Sequence, residues 1–162
     1  MNRETIEKLV VSAVLVLWYL LMPAIGYENG DTRNLPAHVF YMVSHANVWH
    51  LAGNLFVLWL LRGRLYLLPS VLIAFFASYL PSGSLYGEVG ATMGFSGVLF
   101  AIIGIMWGVA SRHDTYGRRN MRDFTMKALP FALIGMALPN VNWCIHFYTI
   151  IAGFVYGRYV RE

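Results

Sequence analysis

The sequence predicts an all-α membrane protein with a bundle of six transmembrane helices, and three observations support this fold class. Hydrophobic residues make up 58% of the chain and charged residues only 12%, whereas a soluble domain typically has about 45–50% apolar and about 25% charged residues. The charges are also segregated, because stretches without Lys, Arg, Asp or Glu recur at 9–27, 45–61, 65–87, 89–111 and 128–157. Such stretches are suited to transmembrane helices, which need about 20 apolar residues. We therefore expect a single domain over residues 1–162, with its activity inside the membrane.

Each uncharged stretch predicts one helix except the last, which predicts two. Pro139 and Asn140 lie in the middle of 128–157, and proline breaks helices whereas asparagine favours turns. The six predicted helices span about 9–27, 45–61, 65–82, 94–111, 124–138 and 143–160.

The cations predict the orientation of these helices. Of the twelve Lys and Arg residues, only Arg33 lies on the side opposite the termini, and the other eleven lie near the termini or near the second and fourth connections. Cytoplasmic loops carry an excess of Lys and Arg, so both termini are expected in the cytoplasm. An even number of spans also places both termini on the same side of the membrane, which agrees with this orientation. We expect a multi-pass integral protein of a prokaryotic inner membrane, in contact with membrane lipid.

Charge and cysteine content exclude some function classes. The net charge of +4 is explained by the Lys and Arg residues that set the orientation of the helices. Nucleic-acid binding is not expected, because no basic stripe interleaves with exposed aromatic residues. Cys144 is the only cysteine, so no internal disulfide can form. His38 and His113 fall in predicted loops, where solvated side chains are expected.

Polar residues inside apolar spans are costly and are therefore candidates for function. They occur at the starts of the second, fourth and sixth predicted helices: His45, His50, Asn54, Ser96, His146 and Thr149. These three helices all run from the outside to the cytoplasm, so their starts lie at one depth, near the outer surface.

Small residues predict which helix faces meet. Small or polar residues recur at helical spacing on the fourth and sixth predicted helices: Gly97, Ala101, Gly104 and Gly108 on one, and His146, Thr149, Gly153 and Gly157 on the other. Such ridges allow membrane helices to approach closely. If these faces pack together, Ser96 and His146 come within reach of each other. His50 and Asn54 are four residues apart and share a face of their helix, whereas His45 is expected in the loop before it.

These residue types favour serine-protease chemistry. A serine hydroxyl becomes a strong nucleophile when a base such as a neutral imidazole takes its proton. The oxyanion that then develops needs fixed donors, for which an Asn amide, a His N–H and helix N-terminal N–H groups are suitable. All eight acidic residues lie outside the predicted spans, so a Ser-His-Asp triad is excluded and a Ser-His dyad remains.

Three motifs resemble those of the rhomboid intramembrane serine proteases. They are His45-x4-His50-x3-Asn54, Gly94-Phe95-Ser96-Gly97, and His146 followed by Gly153. They occur in the family's order, and the resemblance covers essentially the whole chain. It implies a six-helix rhomboid-like bundle that cleaves transmembrane segments of other membrane proteins near their outer ends. It also implies Ser96 as nucleophile, His146 as base, His50 and Asn54 in the oxyanion hole, and Phe100 stacked on the His146 ring.

The chain departs from the family pattern at two places. Thr149 stands where the family usually has the first glycine of the last motif, which predicts looser packing between the fourth and sixth helices. The loop between the first two helices lacks the Trp-Arg pair common in the family, so the resemblance does not predict the family's lateral, membrane-embedded excursion of this loop.

Three alternative functions fit the sequence less well. A metalloprotease could bind zinc through His45, His50 and His146, but there is no H-E-x-x-H motif and no nearby carboxylate base, so we expect neither metal nor cofactor. A non-proteolytic, rhomboid-like module that binds membrane proteins would be expected to lack Ser96 or His146, and both are present. A channel would need more polar lining at mid-membrane.

Overall fold

The computed structural model describes residues 2–84, 90–112, 119, 122 and 141–160. Six helices are delimited there: α1 (Arg3–Leu21), α2 (Leu35–Phe40), α3 (Val48–Leu60), α4 (Leu67–Ala77), α5 (Ser96–Ala110) and α6 (Trp143–Tyr159). The all-α prediction is confirmed for this part of the chain, in which no strand is delimited and Tyr27 forms an isolated β bridge with Thr92. All but α2 match predicted helices, and the predicted helix 124–138 lies outside the described residues.

Within the described residues, no helix combines the length and the apolar character that crossing a membrane requires.

The bounds of α1 differ from the predicted helix 9–27. Its start is fixed by Asn2, whose side-chain oxygen accepts a hydrogen bond from Thr5 N at 2.9 Å, as N-cap residues commonly do. Its end precedes Pro23, because the residue before a proline avoids the helical conformation and Met22 is extended. The uncharged stretch therefore marked the apolar part of α1 and missed its capped, charged start.

The charged first turns of α1 are paired with the far end of α3. Lys8 is only 4% exposed, and its Nζ lies 2.7 Å from Glu4 Oε1 and also contacts the carbonyl oxygen of Leu61. The second oxygen of Glu4 accepts a hydrogen bond from Gly63 N at 2.7 Å. A buried ammonium needs such partners to offset its desolvation, so this cluster fixes the start of α1 against the chain that follows α3.

α3 and α4 are shorter than predicted for similar local reasons. The side-chain oxygen of Asn47 caps α3 by accepting from His50 N at 2.9 Å, so the helix begins after His45. α4 ends at Ala77, shortly before Pro81, which cannot continue a helix.

The unpredicted α2 lies in the connection between α1 and α3 and buries a histidine. Asn34 caps this helix through Ala37 N at 3.2 Å. His38 is 1% exposed, lies 2.7 Å from Ser78 Oγ through Nδ1, and its ring stacks on that of Tyr79 at 4.0 Å. The expectation of a solvated His38 is therefore wrong, because the loop folds onto the end of α4. His113 lies outside the described residues.

The core lies between the buried faces of α1, α3 and α5. It contains mainly aliphatic side chains, among them Leu15, Leu58, Leu61, Leu65, Val98 and Ile102.

α5 and α6 pack backbone against backbone. A Cβ atom at Gly104 would meet the carbonyl of Ile150, and one at Gly153 would meet that of Ala101. Gly108 and Gly157 approach the opposite helix in the same way, at Phe154 and Ile105. The face predicted from these small residues is therefore the face that packs.

Thr149 is compatible with these close glycine contacts, and the expectation that it loosens the packing relative to the family stays a prediction. Its side chain is fully buried, and its hydroxyl donates to the carbonyls of its own helix, with Ile145 O at 2.7 Å and His146 O at 3.1 Å. Serine and threonine commonly satisfy their hydroxyls in this way. The close approach of the two helices is set one turn further on, from Gly153.

Gly153→Ala is expected to destabilise the protein by about 1–3 kcal/mol, the usual cost of overpacking a tight contact. Gly53→Ala in α3 is the matched control, because a Cβ there has nothing within 4 Å and alanine favours a helix over glycine by up to about 1 kcal/mol. Thermal unfolding of the two purified variants measures the difference. Equal melting temperatures would contradict the close packing of α5 and α6.

Candidate active site

Ser96 and His146 meet where α5 and α6 begin. Ser96 is the first residue of α5, and His146 lies in the first turn of α6. His146 Nε2 is 2.8 Å from Ser96 Oγ, a good hydrogen-bond distance. The two side chains are fifty residues apart in sequence, and the glycine contacts between the helices hold them at this separation.

The surroundings of His146 fix the orientation of its ring. Phe100, one turn after Ser96 on α5, stacks on the imidazole with ring centroids 4.4 Å apart and an interplanar angle of 18°. This is the contact that the family resemblance implied. The histidine is 7% exposed, and its Nδ1 has no hydrogen-bond partner in the described part of the chain. With the proton on Nδ1, the lone pair of Nε2 faces the serine hydroxyl, which is the arrangement that a general base needs.

His50 lies against the turn that leads to Ser96. A Cβ atom at Gly94 would lie 2.6 Å from His50 Cε1 and 2.7 Å from Nε2, and Gly94 has a φ of +128°. Both the space and the backbone conformation therefore require glycine here. Gly94 N also donates to Tyr41 O at 2.8 Å, which fixes the turn from its other side. The imidazole of His50 is thus packed two residues from Ser96.

Asn54 lies one turn after His50 on α3 and is 5% exposed. Its Nδ2 donates to His50 O at 2.9 Å. An amide nitrogen carries two hydrogens, so this bond orients the amide and leaves a second hydrogen for another acceptor. The prediction that His50 and Asn54 share a face of α3 agrees with this bond.

His45 contributes more to the structure of the site than the sequence analysis indicated. As expected, it precedes α3, but it is 2% exposed and its Nε2 accepts from Phe95 N at 3.5 Å. Its Nδ1 lies 3.3 Å from Val43 O, which favours a proton on Nδ1 and leaves Nε2 as the acceptor. His45 therefore supports the backbone immediately before Ser96. In the sequence, the position of His45 in the H-x4-H-x3-N motif was the feature that could have indicated this role.

The structure does not gather the three histidines of the zinc alternative into one metal site. Across the described residues, no group of three or more His, Cys, Asp or Glu side chains is arranged to hold a metal ion. The rings of His45 and His50 are 5.2 Å apart, and His146 is bonded to Ser96.

Comparison with known families identifies the chain at this point. The family model of the Rhomboid domain matches residues 32–162, so the chain belongs to the rhomboid family, as its motifs predicted. Rhomboids are integral membrane proteins that act on membrane-protein substrates, and they are generally intramembrane serine proteases, although some members are inactive. No curated protein and no solved structure matches the chain.

Proposed function

We propose that this rhomboid is an active intramembrane serine endopeptidase, with Ser96 as nucleophile and His146 as general base. The observation that carries the proposal is the 2.8 Å separation of Ser96 Oγ and His146 Nε2, together with the stacked Phe100 ring. Nucleophile and base in hydrogen-bond contact, with the base oriented by a third group, are the geometric signature of an activated serine.

In the proposed reaction, the imidazole of His146 carries out every proton transfer. Ser96 Oγ attacks the scissile carbonyl carbon while its proton passes to His146 Nε2, and the carbonyl oxygen becomes the oxyanion. Collapse of this intermediate breaks the C–N bond, Nε2 gives the proton to the leaving amine, and the acyl group stays on Ser96. A water molecule then loses a proton to Nε2 and attacks the ester carbon. The bond from this carbon to Ser96 Oγ breaks, Nε2 returns the proton to Ser96 Oγ, and the carboxylic acid is released. The aromatic face of Phe100 also suits the transient imidazolium.

His50 and Asn54 are the proposed side-chain donors to the oxyanion. The ring of His50 packs against Gly94 in the turn before Ser96, and the orientation of the Asn54 amide leaves one hydrogen for an acceptor. Backbone N–H groups at the start of α5 supply further donors, because the first turn of a helix leaves them unpaired. Donors fixed before the reaction stabilise the oxyanion without further reorganisation.

The proposed substrates are transmembrane segments of other membrane proteins. A peptide bond in a membrane helix is hydrogen-bonded within that helix, so the segment must unwind before Ser96 can attack. Segments with glycine or proline near the cut unwind most easily. With both termini in the cytoplasm of a prokaryotic cell, the starts of α3, α5 and α6 face outward, and cleavage occurs near the outer end of the substrate.

The alternative is a non-proteolytic, rhomboid-like module that binds membrane proteins. Such a protein has no need of a serine hydroxyl bonded to a neutral imidazole, so the contact between Ser96 and His146 favours the protease. The two functions differ in one measurable property, the reactivity of Ser96.

Labelling with a serine-directed fluorophosphonate tests the proposal. We expect the wild-type protein to form a covalent adduct at Ser96 and Ser96→Ala to form none. Ser12→Ala is the matched control, because Ser12 lies in α1 and its hydroxyl accepts a hydrogen bond from Trp59 Nε1 at 3.1 Å instead of facing the dyad. An unreactive wild-type protein, or equal labelling of Ser96→Ala, would favour the binding module.

A further inference from the structure

A buried polar cluster at the start of α6 is not used by the proposed mechanism. Its centre is Asn142, the residue immediately before α6 and four residues before His146. Asn142 is 5% exposed. Asparagine at this position usually caps the helix with its side chain, but the side chain of Asn142 makes no such bond and points into the cluster instead.

Both ends of the Asn142 amide are hydrogen-bonded. Its Oδ1 accepts from Gly83 N at 3.2 Å, and since a backbone N–H can only donate, this bond fixes which end of the amide is oxygen. Its Nδ2 then faces three hydroxyl oxygens: Ser82 Oγ at 2.9 Å, Thr92 Oγ1 at 3.1 Å and Tyr27 OH at 3.3 Å. Burial raises the pKa of Tyr27 to about 12, so this phenol stays neutral and can accept.

The cluster joins three connections of the bundle. Tyr27 lies between α1 and α2, Gly83 and Thr92 both lie between α4 and α5, and Asn142 itself ends the connection that leads to α6. Tyr27 and Thr92 are themselves joined by two backbone bonds, Tyr27 N to Thr92 O at 3.1 Å and Thr92 N to Tyr27 O at 2.8 Å. Trp143 N donates to Gly83 O at 3.0 Å, which anchors the first residue of α6 to the same place.

The positions of Asn142 and Thr92 in the chain give this cluster its importance. Thr92 lies four residues before Ser96, and Asn142 lies four residues before His146. The bond between their side chains at 3.1 Å therefore joins the two segments that carry the dyad, four residues before each of its members. The glycine contacts between α5 and α6 hold the helices together on the other side of the dyad.

We propose that Asn142 is a positioning residue that sets His146 Nε2 against Ser96 Oγ through its bond to Thr92. It touches no reacting atom. The proposal rests on the proposed protease function, and it adds a residue that neither the family motifs nor the dyad contains. A small displacement of a catalytic group can cost a large factor in rate, so loss of this bond should slow the chemistry more than it weakens substrate binding.

The test is single-turnover labelling with the fluorophosphonate, which separates the rate constant of reactive molecules from the fraction that reacts. Asn142→Ala should lower the rate constant by on the order of ten- to a hundredfold, and lower kcat for a transmembrane substrate by a similar factor with KM nearly unchanged. Thr92→Val removes only the hydroxyl acceptor and keeps the backbone bridge, so we expect a loss on the order of fivefold. Thr92→Ser, which keeps the hydroxyl, should recover most of the rate.

Asn29→Ala is the matched control. The side-chain oxygen of Asn29 accepts from Ser82 N at 2.9 Å, so it joins connections on the same side of the molecule without contacting Asn142 or Thr92. Its rate constant should equal that of the wild-type protein. If it slows labelling as much as Asn142→Ala, general loosening of the connections explains the effect and the proposal is overturned.

Other outcomes are equally decisive. Unchanged rate constants in Asn142→Ala and Thr92→Val, with only the reactive fraction or the melting temperature lowered, would show a purely structural role and leave the dyad intact. If Asn142→Ala does not fold, the comparison of Thr92→Val with Thr92→Ser decides the question alone. A wild-type protein that is not labelled at Ser96 would instead overturn the protease function itself.

Discussion

Ser96→Ala and His146→Ala are each expected to abolish cleavage of a model transmembrane substrate in a protein that remains folded. Removing the nucleophile or the base of a serine protease lowers kcat by up to about 10⁶-fold. The remaining rate should be similar in the double variant, because residues that act as a unit show strongly non-additive losses. Cleavage in detergent or liposomes, measured beside the melting temperature of each sample, gives both quantities.

The control for this prediction is again Ser12→Ala, which should cleave at the wild-type rate. Robust turnover by either dyad variant would remove that residue from the mechanism. Chelation provides a second check, since EDTA should leave the rate unchanged. Loss of activity in EDTA with recovery on addition of zinc would instead support the metalloprotease alternative.

Asn54→Ala is expected to lower kcat by about 10²–10³, or about 2.7–4 kcal/mol, as the loss of one oxyanion donor does. KM and thermal stability should change little, because a bond that forms fully only with the oxyanion stabilises the transition state more than the bound substrate. His50→Ala should lower kcat similarly, with an added loss of stability because its ring packs against Gly94. The decisive measurement is kcat and melting temperature on one purified sample.

Thr149→Val provides a matched control for the Asn54 prediction. The Thr149 hydroxyl, like the Asn54 amide, bonds a carbonyl of its own helix beside the site, but it faces no proposed oxyanion. We expect unchanged kcat in this variant. If Asn54 only holds helices together, Asn54→Ala will instead lose stability, by about 0.6 kcal/mol or somewhat more, with full activity per folded molecule.

The contact between Ser96 and His146 could be anticipated because two independent patterns converge on it. The positions of the cations predict the orientation of the helices, which puts Ser96 and His146 at one depth in the membrane. The spacing of the small residues predicts that the two side chains lie on facing sides of α5 and α6. Neither pattern depends on the exact ends of a helix. The stacking of Phe100 on His146 was accessible only through the family resemblance, because aromatic residues are common throughout this sequence.

The helix ends and the connections were predicted less well, and the reasons are local. A stretch without charged residues indicates which part of the chain is apolar. The bounds of the helices are determined instead by capping residues and prolines, such as Asn2, Asn47 and Pro23. The sequence also did not indicate how the Thr149 hydroxyl is satisfied, which is by carbonyls of its own helix. Asn142 could not be identified from the sequence at all, since its partners come from two other connections that only the folded chain brings close to it.

The backbone contact between α5 and α6 has a consequence for how a substrate can arrive. In the proposed mechanism, nucleophile and base lie on two helices that the glycine contacts hold together, so little conformational entropy would be lost in assembling them for each turnover. Separating the two helices would also separate Ser96 Oγ from His146 Nε2. Under the proposed function, a substrate segment therefore has to approach from a direction that leaves α5 and α6 together.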